Sequence, residues 1–282
     1  MGLKLEHCQA SRSLSLSAPV MNQFDSSAIS ATSPTPSGFS RPDFMIIGGM
    51  KCGTSSLGWT LNRHPSIYLA NGGGEVHFFT SHQNYDKGMD WYLRHFPQQK
   101  KMVKYGDKTP GYIDIKNHER LHLNFPEVKL IVILRDPVRR FQSHYNYAQR
   151  PAVSDKLRAQ HAREFRIEYL DERNAIDRRI WQRGLYVEQL ESLFRFYARE
   201  QVHICFLDDF KEGEQEEYNR IYDFLQVPRH PVESVIINHQ ESYAYPFGET
   251  ALKQLYKRYE PYNERLFKLL GTEREQWRRY SS

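Results

Sequence analysis

The sequence predicts an α/β fold, one domain on a central, roughly five-stranded parallel sheet flanked by helices. Three observations predict it. Short apolar runs without alternation, bounded by turn residues, read as strands buried on both faces. Segments with apolar residues at i, i+3, i+4 and i+7 lie between them and read as covering helices. The chain has 282 residues, 39% of them hydrophobic and 26% charged, enough for one core that buries roughly three quarters of the unfolded surface.

The first strand is 44–47, followed by a glycine-rich turn and a helix from about Thr54. The runs at 66–70 and 102–105 read as short strands, and Lys129–Leu134 (KLIVIL) is the strongest strand of the chain. The last strand is 202–207 (VHICFL). Leu190, Leu193, Phe194 and Tyr197 recur at helical spacing, as do Tyr218, Ile221, Tyr222 and Leu225. No repeat of 20–50 residues is visible.

Residues 1–40 read differently. Twelve of them are Ser or Thr, the end is punctuated by Pro and Gly, and no apolar period appears. A disordered tail is the expectation for 1–40, with the folded domain at 41–282. The segment around Leu14 to Val20 is too short and too rich in serine for a secretory signal. A Ser-rich transit peptide is the rival reading, though the usual arginine enrichment is missing. Residues 1–43 carry three basic and three acidic groups, so the net charge of +5 belongs to the body. That mild positive field favours an anionic ligand and is too weak to argue for nucleic acid. No run approaches the ~20 apolar residues of a membrane helix. Cys8, Cys52 and Cys205 form neither a zinc spacing nor a disulfide framework, which predicts a reducing compartment, the cytoplasm.

Two segments carry chemistry. In FMIIGGMKCGTSSLGWTL, Gly48, Gly49 and Gly53 permit a sharp turn and close backbone approach. Thr54, Ser55 and Ser56 open the helix, where unpaired N–H groups and the dipole attract an anion, and Lys51 adds a positive charge. This is a phosphate cradle or, on the bland reading, a glycine turn capped by a hydroxyl. It departs from the nucleoside triphosphate loop because Thr54 stands where that loop has its lysine. In KLIVILRDPVRRFQSHYN, Arg135 stands at the carboxyl end of the best strand, the edge where open α/β sheets bind ligands. Asp136 and Pro137 suit a helix start, and Ser143 follows Arg135 by eight residues, about two turns. Arg135 and Ser143 either grip one phosphate together or Arg135 pairs with a local carboxylate.

These two segments resemble the cofactor signatures of the PAPS-dependent sulfotransferases. GGGEVHFFTS at 72–81, NYDKGMDWYLRHFP at 84–97 and GDKTPGYI at 106–113 bring the likeness closest to the carbohydrate branch, the heparan sulfate glucosaminyl sulfotransferases. The likeness is continuous over about 43–150 and looser over 184–270. It implies a P-loop-like sulfotransferase fold and PAPS (3′-phosphoadenosine 5′-phosphosulfate) as sulfuryl donor, with 3′,5′-ADP as product. Lys51 then contacts the sulfonyl and bridging oxygens, while Gly53, Thr54, Ser55 and Ser56 hold the 5′-phosphate. Arg135 and Ser143 hold the 3′-phosphate. Glu75 is the general base, His77 stands near the reacting hydroxyl, and Lys108 is a second active-site lysine. Gly184 and Tyr186 fall in a segment near the adenine.

Sulfuryl transfer is an in-line displacement in which positioning and charge stabilisation do most of the catalysis. Lys51 and Lys108 can meet the leaving charge themselves, so no metal is expected. Thr80 stands where the heparan sulfate enzymes have an aspartate, and NHQESYAYPFGE lacks their late basic, disulfide-closed loop. Residues 155–183 form a charged, helical insertion with eight basic and six acidic groups, either a solvated face or a lid over the acceptor pocket. The expected acceptor is a hydroxyl or amine of a small metabolite or saccharide, with no nucleic acid and no membrane as partner. The rival class is a P-loop kinase or nucleotide-binding protein, which requires Mg²⁺ and a lysine directly after Gly53.

Overall fold

Each apolar run forms a strand of one sheet. In this computed structural model the described residues are 38–97, 100–149, 165–170, 175–233 and 243–280. The strands are β1 (Phe44–Gly48), β2 (Ile67–Leu69), β3 (Lys104–Lys108), β4 (Lys129–Leu134) and β5 (Val202–Phe206), in spatial order β2-β3-β1-β4-β5. Every neighbouring pair is parallel, with Ile46 beside Lys108 and Ile131 on its two sides. β1 and β4 are buried almost throughout, as sheet interiors covered on both faces must be.

The third strand lies further along the chain than its apolar residues suggest. Met102 adopts φ 62 in a turn and is 82% exposed, so the strand starts after it. It then runs through Asp107 and Lys108, both buried although charged. β2 is shorter than its run because Ala70 begins a 3₁₀ turn, Ala70–Gly73.

The first five helices are α1 (Thr54–Leu61), α2 (His82–Tyr85), α3 (Gly88–Leu93), α4 (His118–Asn124) and α5 (Pro137–Ala148). Asp136 caps α5 by accepting from the N–H groups of Val138 and Arg139 at 2.8 and 3.1 Å. Its other oxygen accepts from the Tyr256 hydroxyl at 2.6 Å, tying α5 to the long helix Glu249–Leu270. The main apolar core surrounds the sheet. A second cluster joins Val138, Phe141 and Tyr145 of α5 to Phe165, Phe247 and Leu255, with the Phe165 and Phe247 rings stacked at 4.5 Å.

The described part of the charged insertion contributes to that second cluster: Phe165, Ile167, Leu170 and Ile180 are buried in it. Its apolar side packs against α5, while Arg166, Glu168, Arg178 and Arg179 are exposed. Residues 155–164 and 171–174 of the insertion, and 1–37 of the tail, lie outside the described residues. No helix among the described residues is long and apolar enough to cross a membrane.

Candidate active site

A parallel sheet delivers all its carboxyl ends to one edge. Here β3, β1 and β4 are neighbours, spaced at ~4.8 Å per strand, so Lys108, the glycine turn after β1 and Arg135 stand side by side. This is the edge at which such sheets bind ligands.

The turn is built from its backbone. The Gly49 N–H donates to the Ile133 carbonyl at 2.6 Å, and the Cys52 N–H returns to the Gly49 carbonyl at 3.2 Å. Lys51 (φ 67) and Gly53 (φ 99) are left-handed, and a Cβ on Gly53 would stand 2.8 Å from Leu207 Cδ1. Only glycine fits there without displacing Leu207. α1 then begins at Thr54 with no side-chain cap, leaving its first N–H groups open to an incoming acceptor. Thr54 is buried, Ser56 half-buried and Ser55 exposed. The Lys51 ammonium lies 4.1 Å from the centre of the Tyr147 ring on α5.

Arg135 is half-buried and donates to the Lys51 carbonyl at 3.4 Å, so the two sequence segments meet. Ser143 lies half-buried on α5. Tyr186 lies deep at the same sheet edge. Its ring is buried in the core, and its hydroxyl donates to the Arg135 carbonyl at 2.8 Å beside the Cys52 sulfur. It therefore supports the strand end from beneath.

Glu75, His77 and Lys108 converge. His77 Nε2 lies 3.1 Å from one Glu75 oxygen and Lys108 Nζ 3.9 Å from the other. The Glu75 side chain is 32% exposed and that of Lys108 only 7%. Gly58 of α1 makes room for the lysine, since a Cβ there would stand 3.1 Å from Lys108 Cδ. Burial pushes the Glu75 carboxyl up, but the His77 hydrogen bond and the Lys108 charge outweigh it and hold the group below its ordinary range. The same hydrogen bond raises His77 above its ordinary value against the opposing effect of burial. At neutral pH Glu75 is thus a carboxylate, open to solvent on one side. His77 Nδ1 lies 3.1 Å from the Thr80 hydroxyl, which donates to the His77 carbonyl at 3.4 Å.

Sequence reasoning passed over several residues at this edge. Arg183, at the end of the insertion, donates to Asp114 at 3.0 Å and lies 3.1 Å from the Met50 sulfur, placing a guanidinium over the glycine turn. Arg140 is fully buried and donates to His144 Nδ1 at 3.2 Å and to the Ile180 carbonyl. Burial, then the charges of Arg140, Arg183 and Lys51, push His144 down to about 2, so it stays neutral inside a positive field. Beneath Glu75 lies Asp107, buried and bonded to three hydroxyl groups. No spacing in the sequence marks these contacts; the fold creates them. No group of three or more His, Cys, Asp or Glu that could hold a metal occurs among the described residues.

The site has the parts of an anion cradle joined to a carboxylate–histidine pair, and known proteins resemble the chain that carries it. The heparan sulfate glucosamine 3-O-sulfotransferase 5 of Mus musculus is 29% identical over 66% of this chain and 54% of its own length. The membrane-associated sulfotransferase kil1 of Dictyostelium discoideum is 38% identical over 38% of this chain and 23% of its own. The chain therefore spans about half or less of these curated relatives. A sulfotransferase crystal structure from Alicyclobacillus acidocaldarius shares the fold with a TM-score of 0.68, covering 85% of this chain and 99% of that one at 24% identity. The sequence model of the sulfotransferase domain matches residues 41–246, and on that match this chain belongs to the sulfotransferase-domain family.

Proposed function

We propose that this chain transfers a sulfuryl group from PAPS to a hydroxyl group, with Glu75 as general base and Lys51 and Lys108 facing the leaving phosphate. The observation that carries the reading is the shared sheet edge, where Lys108, the glycine turn and Arg135 adjoin and Glu75 folds back to 3.9 Å from Lys108.

The residues fit a doubly anionic nucleotide. The open N–H groups of α1, the left-handed Gly53 and the hydroxyls of Thr54, Ser55 and Ser56 suit a 5′-phosphate. Arg135 and Ser143 would hold the 3′-phosphate. PAPS, when bound, supplies a sulfonate already joined to a phosphate leaving group. The protein's part is to orient and to balance charge. Glu75, ionised at neutral pH, accepts the acceptor's proton as the new S–O bond makes that hydroxyl acidic. His77 steadies the carboxylate through its Nε2 contact, and Lys51 and Lys108 offset the charge that develops as the old bond breaks.

The name of the mouse relative points to a saccharide hydroxyl, so oligosaccharides are the first acceptor class to test, with small hydroxylated metabolites second. Thr80 leaves the wall beside His77 uncharged, which suits a neutral hydroxyl as well as a polyanion. Radiolabelled PAPS offered with such a panel should label one class. 3′,5′-ADP should bind in EDTA. Phosphoryl transfer from ATP that requires Mg²⁺, with no sulfate transfer, would overturn the reading.

A further inference from the structure

We propose that Asp107 is a positioning residue that fixes the loop carrying Glu75 and His77 through a relay of hydroxyl groups. The inference rests on the catalytic reading of Glu75 given above. Asp107 is fully buried near the end of β3 and has no ion pair among the described residues. Its carboxylate instead accepts three hydroxyl protons. Thr109 donates to Oδ1 at 2.9 Å, and Tyr112 and Tyr92 donate to Oδ2 at 2.8 and 3.0 Å.

Those donations set direction. A hydroxyl has one proton, and once that proton faces a carboxylate its lone pairs must face elsewhere. Thr109 Oγ1 accordingly accepts from the Val76 N–H at 3.2 Å and from the His77 N–H at 3.4 Å. The Tyr112 hydroxyl accepts from the Phe78 N–H at 3.0 Å. One buried carboxylate thus governs three successive amides, directly after Glu75. Chains of this kind polarise each link, so a charged terminus strengthens the bonds beyond it.

The loop needs such a holder. His77 is left-handed at φ 58, a conformation that a residue with a Cβ adopts only when its surroundings enforce it. The carbonyl of Val76 is held as well, accepting from the Asn84 side chain at 3.1 Å. Fixing the amides of 76–78 sets where the His77 ring emerges. The ring in turn holds Glu75 at 3.1 Å. Lys108, the residue next to Asp107, reaches the other Glu75 oxygen. The same two-residue stretch of β3 therefore fixes the base from its backbone side and from its charged side.

The test removes the relay without emptying the core. Thr109→Val keeps the shape of the side chain and deletes the hydroxyl; Thr109→Ser returns the hydroxyl. Amide hydrogen exchange is followed at Val76 and His77, with 3′,5′-ADP affinity and turnover of PAPS measured on the same samples. Thr109→Val should speed exchange at those two amides by tenfold or more and lower kcat by a similar factor. 3′,5′-ADP affinity should stay near wild type, and Thr109→Ser should restore exchange and rate together. Tyr112→Phe should act likewise on the Phe78 amide. Wild-type exchange in Thr109→Val, or a serine variant no better than valine, would overturn the proposal. So would a loss of cofactor affinity equal to the loss of rate. Glu75→Gln run in parallel separates the two readings. If it turns over normally, the base assignment falls, and the exchange at 76–78 still decides whether the relay exists.

Discussion

Replacing Glu75 by glutamine tests the chemistry with little change of shape. The amide retains an oxygen for His77 at the position now 3.1 Å away, so the loop stays in place. What disappears is the negative charge and the ability to take a proton. Loss of a positioned base lowers rates by about 10²–10⁴-fold, or ~2.7–5.4 kcal/mol of barrier at ~1.36 kcal/mol per decade. Turnover of radiolabelled PAPS at saturating acceptor reads that loss, while calorimetry with 3′,5′-ADP shows whether the cradle is intact. The substitution also has a signature in stability. Glu75 is held below its ordinary 4.5, so its contribution is present above that pH and is lost as pH falls through the lower folded value. His77 is raised above its ordinary 6.5, so its contribution is present below that pH and is lost as pH rises through the higher folded value. The difference in stability between wild type and Glu75→Gln should therefore be largest between about pH 4.5 and 6.5. A variant that keeps turnover within an order of magnitude of wild type, or a difference that is flat across that window, would refute the argument.

Three further substitutions probe the cradle. Arg135→Ala removes a charge-assisted contact and should weaken 3′,5′-ADP binding by ~1.5–3 kcal/mol; calorimetry checks this, and unchanged affinity would take Arg135 out of the site. Lys51→Ala should lower kcat more than it lowers cofactor affinity, because its charge matters most as the bond breaks; steady-state kinetics alongside direct binding would expose equal losses. Gly53→Ala places a Cβ at φ 99 and 2.8 Å from Leu207 Cδ1. Left-handed strain of ~1–2 kcal/mol and overpacking of ~1–3 kcal/mol should together destabilise the fold, and a denaturant midpoint close to wild type would contradict that sum.

The strands were legible wherever burial was achieved with apolar side chains. β4 is found where KLIVIL stands, and α1 starts at Thr54 as the glycine turn requires. β3 was misplaced because its carboxyl half, Asp107 and Lys108, is polar and yet inside. Thr109 and Tyr112 supply nearby hydroxyl donors to Asp107, but the other partners are distant. The hydroxyl of Tyr92 comes from 15 residues away and the Glu75 carboxylate from another loop. The site divides in the same way. Lys51 and Arg135 lie in contiguous segments whose residue types suit anions, whereas Glu75 and Lys108 stood out only through the family resemblance. Arg183 and Asp114 are 69 positions apart, and their pairing exists only once the second apolar cluster seats the insertion against α5. Tyr186 sits where sequence alone could not place it. The family resemblance put it in a segment near the adenine, and here its ring is buried in the core while its hydroxyl reaches the Arg135 carbonyl.

The passage of Lys108 across α1 makes two distant positions behave as one. With Gly58 only 3.1 Å from the lysine stem once a Cβ is added, any larger residue at 58 would force the ammonium along a different route. Across relatives, positions 58 and 108 should therefore covary: a bulkier residue in the helix should accompany a shorter or absent cation on the strand. Anyone wishing to redirect Lys108 would do better to edit the helix opposite it than the lysine itself.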